Sequence, residues 1–413
     1  MPHPDAIVNS PEAQILLCCS RATVDAEAAA GIRALVEDGP DWERLIALAL
    51  RHGVTPLLHR ALVTACPDAV PAELLDALGA QVEGNSDRVR RLAKELSAIV
   101  ADCRHGDVQV IPFKGPTLAL QAYGDMTLRS AGDLDLMLRE DDLPVLHQVL
   151  GARGFRRSDG PAEPLPPHLD AAYRRYQCEQ IFVRPQDMMV VEPQWAIGAR
   201  TLAYSLDYDA MRAEARPIAF EGGEVPAFAA GDLLLLLCVH GTKHYWAQLR
   251  WIADIAAMLA HGPELDLEAC LEGAGRQGCG RTVLLGLALA ERLLAADLPR
   301  GISDRIRADR ACARLVGDTI QVLFDDSSVP PGPFTVTRYR LRSRERLLDQ
   351  ALCVLRCILT PRVMHYSLVR LPPRLAFLYC PIKLVHDYVL LPAWLAFKFI
   401  RSQRTRRTAR EPG

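Results

Sequence analysis

Paired Cys-x-x-Cys motifs and dense groups of cysteines are missing from this sequence. Its 12 cysteines are scattered over 413 residues, which is typical of buried thiols in a reducing cytosol rather than of a secreted disulfide framework. Cys353 and Cys357 share a helix face by their spacing and are predicted to be core thiols. The N-terminus also lacks a basic segment followed by an apolar one, so no signal peptide is expected. We therefore predict a cytoplasmic protein.

A bias of charge toward either sign is missing as well. Lys and Arg number 48 against 50 Asp and Glu, so the overall composition does not favour nucleic acid as a partner. Basic residues are concentrated only near the C-terminus, at Arg401, Arg404, Arg406, Arg407 and Arg410. We therefore do not expect a nucleic-acid acceptor.

Long uninterrupted hydrophobic runs are absent too. Residues 375–400 form the most apolar segment, but prolines, lysines, a histidine and an aspartate interrupt it. The longest charge-free piece, residues 388–397, is shorter than the about 20 residues that a membrane span needs. We expect a final helix packed on the body, followed by a solvated basic tail. The alternative is peripheral contact of this segment with an anionic membrane surface.

The residues that are present have an ordinary globular composition, 50% hydrophobic and 24% charged, in a chain long enough for two or three domains. Apolar periodicity predicts an α+β protein, with a small mixed-sheet core flanked by largely helical N- and C-terminal regions. The predicted parts are a helical region (1–104), an α/β core (105–200), a helical domain completing the cleft (201–324) and a C-terminal helical segment with a basic tail (335–413).

The core has the predicted order β-α-β-α-β-β. Residues 108–113 and 133–138 are short strand-like runs, and residues 116–124 and 140–155 have helical patterns. Residues 180–197 are predicted to form two strands joined by a turn at a proline. The sheet therefore receives several strands within a short stretch of chain.

Two carboxylates stand inside the apolar run GDLDLML, residues 132–138. Side chains i and i+2 of a strand lie on the same face, so Asp133 and Asp135 would point the same way. Glu192, on a later predicted strand, adds a third acidic side chain. Like charges held together need a compensating cation. Mg²⁺, with Mn²⁺ as the alternative, takes carboxylate oxygens and keeps positions for water and phosphate.

The stretch KGPTLALQAYGDMTLRSAGDLDLML (114–138) resembles the signature of the DNA polymerase β-type nucleotidyltransferase superfamily. It is most similar to a bacterial family described as uncharacterised nucleotidyltransferases. The stretch LLCVHGTKHYWAQLRWIADIAAML (236–259) also resembles the helical region of that family. The resemblance covers roughly residues 100–260.

This resemblance implies a role for each matching residue. Asp133 and Asp135 match the metal-binding pair, and Glu192 matches the acidic position that orients or deprotonates the acceptor. Lys114, Gly115 and Arg129 match positions around the triphosphate, where Gly115 lets the backbone approach and the two cations supply charge. The alternative for Lys114 and Arg129 is a structural ion pair with the aspartates.

The polar face of the second stretch carries His240, Lys243 and His244, which we predict to line the nucleotide or acceptor cleft. Two histidines at i and i+4 also suit zinc, but the glutamate of an HExxH motif is absent and no third ligand is evident. A solvated helix face is the remaining alternative.

One position departs from the family pattern of an acidic residue, an apolar residue and His-Trp. This chain has Glu192-Pro193-Gln194-Trp195. Glutamine cannot act as a base, and proline removes a donor from the strand. The departure therefore bears on the register of Glu192, that is, on its position along the strand relative to the aspartates.

The resemblance implies a Mg²⁺-dependent nucleotidyltransferase that transfers a nucleoside monophosphate from a nucleoside triphosphate to an acceptor and releases pyrophosphate. The acceptor is a small molecule, a peptide or a saccharide, in a biosynthetic setting that the sequence does not specify. One alternative is a noncatalytic module that binds a nucleotide or a biosynthetic partner. Another is transfer of a nucleotide-activated group such as a sugar.

Overall fold

The computed structural model describes residues 10–158, 174, 177–198, 204, 206–262, 264–325 and 332–394. The chain divides into two compact units. The first comprises residues 1–158, 179–198 and 204–350, and the second comprises residues 159–178, 199–203 and 351–413.

Helices precede the sheet in the described part of the first unit. They are α1 (Pro11–Cys19), α2 (Ala26–Glu37), α3 (Trp42–His52), α4 (Thr55–Ala65) and α5 (Ala72–His105). The first three follow Ser10, Asp25 and Asp41, whose side chains accept a hydrogen bond from a first-turn amide. Each such cap stabilises a helix by about 1 kcal/mol. The predicted helical region on the N-terminal side of the core is confirmed.

A mixed sheet with the strand order β1-β2-β5-β4-β3 forms the centre of this unit. Its strands are β1 (Ile111–Pro112), β2 (Asp133–Met137), β3 (Arg156–Arg157), β4 (Phe182–Arg184) and β5 (Met189–Gln194). Strands β2 and β5 pair in parallel, and the other pairs are antiparallel. Helix α6 (Gly115–Tyr123) connects β1 to β2, and α7 (Leu143–Ala152) follows β2. The α+β prediction is confirmed, with β3 as an additional strand too short to show a periodicity.

One face of this sheet packs on α5 and α7. Leu134, Leu136 and Val191 are fully buried there, in an apolar cluster that includes Leu96 of α5 and Leu146 of α7. Because side chains alternate along a strand, Asp133 and Asp135 lie on the opposite face. Met137 on that face belongs to a second cluster, which is formed largely by helices. The carboxylates therefore point toward the helical side of the sheet.

A second, two-stranded sheet follows the short helix α8 (Tyr208–Ala213). Strands β6 (Arg216–Phe220) and β7 (Gly223–Ala227) form a hairpin that the sequence patterns did not predict. Pro217 and Pro226 pair with each other in this hairpin. Prolines within a short run weaken the sequence signal of a strand, which explains why this element was missed.

Helices form most of the remainder of the first unit. They are α9 (Ala230–Lys243), α10 (Leu249–His261), α11 (Leu267–Arg276), α12 (Gly280–Leu294), α13 (Arg300–Ala308), α14 (Arg310–Leu323) and α15 (Pro333–Arg342). Trp246, between α9 and α10, is completely buried. A Cβ atom at Gly241 would lie 2.6 Å from its ring, so only glycine permits this packing. The tight connection places α10 next to α9.

Helix α16 (Leu347–Leu359) leads into the second unit, which continues with α17 (Val363–Leu368), a 3-10 segment (Pro373–Leu378), α18 (Tyr379–Val385) and a π-helical turn (His386–Leu390). Cys353 is buried and Cys357 is half-buried, in line with their prediction as core thiols.

The last described helix of the second unit is long and apolar. Residues Arg374–Trp394 form a run of 21 helical residues that joins the 3-10, α and π segments, and its apolar 18-residue stretch has a mean hydropathy of 1.3. By length and composition alone it could cross a membrane, although its longest charge-free piece is shorter than a span. Peripheral membrane contact of this segment stays a prediction. The basic tail lies outside the described residues.

Candidate active site

The parallel pairing of β2 with β5 assembles the acidic residues. Asp135 pairs with Glu192, and Asp133 pairs with Val190. Paired residues of neighbouring strands point to the same face of a sheet, so Asp133, Asp135 and Glu192 share one face. Asp135 is buried, with only 2% of its surface exposed, whereas Asp133 and Glu192 are half-buried. The three acidic positions predicted from the sequence are thus brought together.

Lys114 supplies the positive charge beside these carboxylates. Its Nζ lies 2.5 Å from Asp135 Oδ1, and both side chains are buried. The antiparallel pairing of β1 with β2 brings it there, since the Phe113 amide donates to the Asp135 carbonyl oxygen at 3.4 Å. Triphosphate contact and an ion pair with an aspartate were the two roles expected for Lys114. The structure contains the ion pair.

Gly115 follows Lys114 at the first position of α6. Its φ is +61°, and a Cβ atom at this position would lie 3.3 Å from the carbonyl oxygen of Asp133. A glycine is therefore required for this backbone to approach β2. The approach sets the N-terminus of α6 beside the acidic strand, and a helix N-terminus favours anionic groups.

The pKa values of two carboxyl groups are raised at this site. Burial, together with the charges of Asp135 and Asp133, raises the pKa of Glu192 to about 7. Burial also raises the pKa of Asp135, against the opposing effect of Lys114. A nearby cation stabilises the ionised form of such buried, mutually repelling carboxyl groups.

The carboxylate oxygens of Asp133, Asp135 and Glu192 are too far apart for all three to bind one metal ion without moving. Among the described residues, their ligand oxygens do not form a set that lies within 4.8 Å of one another. Two aspartates are nevertheless sufficient for Mg²⁺, which keeps several waters and accepts phosphate oxygens. Asp133 and Asp135 therefore fit as ligands, and Glu192 fits better as a proton acceptor.

Gln194 stands where the family pattern has a histidine. Its Nε2 donates a hydrogen bond to Asp135 Oδ1 at 2.8 Å. Pro193 pairs with Leu136, and its carbonyl oxygen accepts from the Gln180 amide at 3.0 Å. The strand thus continues through the proline, and the register of Glu192 is maintained. The glutamine orients the aspartate, although it cannot transfer a proton.

Arg129 makes its ion pair with a residue that the sequence did not predict as its partner. Its Nε donates to both carboxylate oxygens of Asp254, at 2.9 and 3.0 Å. The Tyr123 hydroxyl donates to the same carboxylate at 3.1 Å. Asp254 lies on α10 and is 1% exposed. The pair ties the loop before β2 to α10 rather than to Asp133 or Asp135.

Two further arginines hold this loop: Arg250, on the polar helix face that was expected to line the cleft, and Arg88, which the sequence did not indicate. Arg250 donates to the Ser130 carbonyl oxygen at 3.3 Å, and Arg88 donates to the Gly132 carbonyl oxygen at 3.0 Å. Both arginines line an open cavity of about 450 Å³ on this side of the loop. Burial lowers the pKa of Arg250. Arginine nevertheless stays charged at neutral pH, so both side chains bring positive charge to this cavity next to the acidic strand.

The polar end of α9 forms an aromatic group with α10. The ring centroids of His240 and His244 are 4.7 Å apart, and the edge-on ring of Trp251 is 5.3 Å from that of His240. Burial and the charge of Lys114 lower the pKa of His240 well below its ordinary value, so this ring is neutral at pH 7. Lys243 Nζ lies 3.0 Å from Glu179 Oε2.

The zinc alternative for these histidines gains no support. In the part of the chain that the structure describes, neither His240 nor His244 belongs to a group of three metal-ligating side chains. Trp251 of α10 contacts both rings. The group is suited to contacts with a planar ligand.

Comparison with known proteins adds one match. The model of a protein family described as "Uncharacterised nucleotidyltransferase" matches residues 38–295. No curated protein and no solved structure matches the chain. The matched range contains the sheet, the acidic residues and the two helices α9 and α10.

Proposed function

Because the chain belongs to the family described as uncharacterised nucleotidyltransferases, we propose that it transfers a nucleoside monophosphate from a nucleoside triphosphate to an acceptor hydroxyl, with Mg²⁺ as cofactor. The observation that carries this proposal is the pairing of Asp135 with Glu192 across two parallel strands. It places three carboxylates on one face, beside the buried ammonium group of Lys114.

Asp133 and Asp135 would hold Mg²⁺ or, alternatively, Mn²⁺. The ion would neutralise phosphate charge and polarise the phosphoryl group. Asp135 is shaped for this role by Gln194, which fixes one of its oxygens. In this structure the Lys114 ammonium group neutralises the Asp135 carboxylate. If a metal ion took over that role, Lys114 would be available to bind a phosphate oxygen.

Glu192 would take the proton of the acceptor. In this step the acceptor oxygen attacks the α-phosphorus, the bond to the pyrophosphate oxygen breaks, and the acceptor proton passes to the Glu192 carboxylate. A pKa of about 7 suits a general base that works near neutral pH.

The remaining residues would bind the substrates. Lys114 and Gly115 are assigned to the triphosphate, and Arg129 to support of the loop through Asp254. His240, Lys243 and His244 are assigned, with Trp251, to the nucleotide base or the acceptor. A small molecule, a peptide or a saccharide would supply the acceptor hydroxyl.

Calorimetric titration of each of the four common nucleoside triphosphates tests this function. We expect one of them to bind only when Mg²⁺ is present, and pyrophosphate to be released when the acceptor is added. If the folded protein bound none of the four, the reading as a noncatalytic partner-binding module would replace this one. Metal-dependent binding of a nucleotide-activated sugar in preference to the triphosphate would favour the transfer of that group.

Replacing Gln194 tests its role beside Asp135. Gln194→Ala should weaken Mg²⁺-dependent nucleotide binding by about 10-fold, because partners that orient metal ligands contribute about 10- to 100-fold. Gln194→His, which restores a ring N–H donor, should bind within about twofold of the wild type. Calorimetry measures both constants. Equal affinities of the wild type and the alanine variant would remove Gln194 from the site.

The raised pKa of Glu192 predicts how stability depends on pH without metal. The folded state holds this proton up to about pH 7, whereas the ordinary pKa is 4.5. The stabilisation is therefore complete below about pH 4.5 and is lost as the pH rises through about 7. We expect a fall of roughly 2 kcal/mol, which allows for the partial exposure of the group.

Urea unfolding in EDTA at pH 5 and pH 8 measures this fall. Glu192→Gln should show a smaller fall than the wild type, since other titrating groups are common to both chains. Mg²⁺ at pH 8 should restore stability to the wild type by offsetting the negative charge. The same pH dependence in both chains would contradict the assignment.

A further inference from the structure

The second unit contains a compact group of histidine and aspartate side chains outside the nucleotidyltransferase site. Atoms that can bind a metal on His365, His386 and Asp387 all lie within 4.8 Å of one another. His365 is on α17, whereas His386 and Asp387 begin the π-helical turn. Single π-helical turns occur frequently at functional sites. Two separate elements thus meet at one carboxylate.

The distances between the three atoms resemble those of a metal shell. Asp387 Oδ1 lies 3.2 Å from His365 Nε2 and 2.8 Å from His386 Nδ1. Ligand atoms about 2.1 Å from a tetrahedral zinc ion lie about 3.4 Å from one another. Small shifts of the side chains would therefore admit an ion without a change in the backbone.

The outer contacts of the cluster suit the same purpose. Arg362 Nη2 donates to Asp387 Oδ2 at 2.7 Å, which leaves Oδ1 to the histidines. His365 Nδ1 accepts a hydrogen bond from the Arg362 amide at 2.8 Å and also lies 3.2 Å from the carbonyl oxygen of the same residue. Ligating carboxylates are themselves hydrogen-bonded, as Asp387 is here, and the Arg362 carbonyl oxygen would accept the Nδ1 proton of His365 once Nε2 bound a metal.

The surroundings also permit selective access. The His365 side chain is completely buried, that of Asp387 is 8% exposed and that of His386 is 18% exposed. An ion could therefore enter at His386 and be shielded on the side of His365. Lys383, which is buried nearby, donates to the Cys357 carbonyl oxygen at 2.5 Å and so is directed to a backbone oxygen.

We propose that His365, His386 and Asp387 bind a divalent transition-metal ion of the Zn²⁺ class, with water at the fourth position. Two imidazole nitrogens and one carboxylate oxygen are the donor set that such ions prefer, and Mg²⁺ prefers oxygen ligands. The ion would link α17 to the terminal helix. In its absence the ring nitrogens that face Asp387 carry the single proton of each neutral imidazole. When the metal binds these nitrogens, each ring keeps one proton, on its other nitrogen. The matched family range ends at residue 295, so this site lies outside the range that carries the proposed function.

Titration with Co²⁺ as a spectroscopic probe tests the site in the full chain. The Asp133→Asn/Asp135→Asn variant serves as the background, so that the catalytic face contributes no metal binding. We expect one Co²⁺ per chain, with the visible absorption of four-coordinate cobalt, and displacement by Zn²⁺. His386→Gln keeps a hydrogen-bonding side chain and should lower the affinity at least about 10-fold. His105→Ala, at an exposed histidine, should leave binding unchanged.

A thermal unfolding series separates a metal site from a hydrogen-bonded brace. Saturating Zn²⁺ should raise the unfolding midpoint of the background variant by several degrees and should have no effect on the His386→Gln chain. Absence of the cobalt bands, or bands that persist in His386→Gln, would overturn the proposal and leave the cluster as a structural brace. Circular dichroism verifies that each chain is folded, and Asp387→Asn provides a second variant of the same size.

Discussion

Asn in place of both Asp133 and Asp135 should abolish Mg²⁺-dependent nucleotide binding and lower kcat/KM by about 10³-fold or more. Removing a single preorganised electrostatic group from an active site costs about 10²- to 10³-fold, and this variant removes both proposed metal ligands. Asn has nearly the same shape as Asp, but Lys114 loses the carboxylate that it pairs with, so circular dichroism must verify that the variant is folded. Calorimetry with the nucleotide that binds the wild type measures the loss.

The segment between β2 and α7 offers a matched control, because it also contains two aspartates. Asp141 is exposed and Asp142 is half-exposed, a few residues beyond β2. Asp141→Asn/Asp142→Asn removes the same charge without touching the site, and it should bind nucleotide as the wild type does. Metal-dependent binding that survived in the Asp133/Asp135 variant would refute the catalytic proposal. Loss of binding in both variants would point to net charge instead.

Asp254→Ala should lower the free energy of unfolding by about 3–5 kcal/mol. It would leave the guanidinium of Arg129 buried without its carboxylate, and breaking a buried ion pair on one side has costs of this size. Arg129 is 6% exposed and Asp254 is 1% exposed, so water can replace little of the lost interaction. Tyr123 would lose its acceptor as well. Denaturation in urea measures the change.

Two further variants serve as controls for the effect of burial on this ion pair. Arg129→Met/Asp254→Leu removes both charges, and it should recover most of the lost stability because apolar side chains replace the pair. Asp68→Ala breaks an ion pair with Arg33 at a similar distance, 2.8 Å, but with 38% and 69% of the side chains exposed. It should cost far less than Asp254→Ala, because water replaces the partner of an exposed charge. Equal losses for Asp68→Ala and Asp254→Ala would show that burial does not govern the effect.

The loop that Arg129 holds leads directly into the acidic strand. The Asp254 variant should therefore also weaken metal-dependent binding, although neither residue contacts the carboxylates by a hydrogen bond in this structure. Arg250 and Arg88 donate hydrogen bonds to carbonyl oxygens of the same loop. The position of Asp133 and Asp135 thus depends on three arginines that come from different helices and loops.

The sequence by itself determined the local features of the site. The alternation in residues 132–138 predicted a strand with two carboxylates on one face, and the structure has that strand at Asp133–Met137. The helical pattern of residues 116–124 likewise predicted α6, which begins one residue earlier, at Gly115. These features depend on the twofold period of a strand and on the period of a helix, which neighbouring residues alone decide.

Only the tertiary structure decided which residues meet across the chain. The parallel pairing that sets Glu192 beside Asp135, the pairing of Arg129 with Asp254 and the donation from Gln194 to Asp135 all join distant segments. A periodic pattern identifies the face of an element but carries no information about its partner. Strand order and buried ion pairs follow from how helices and strands pack together, and this packing turns separate acidic residues into one site.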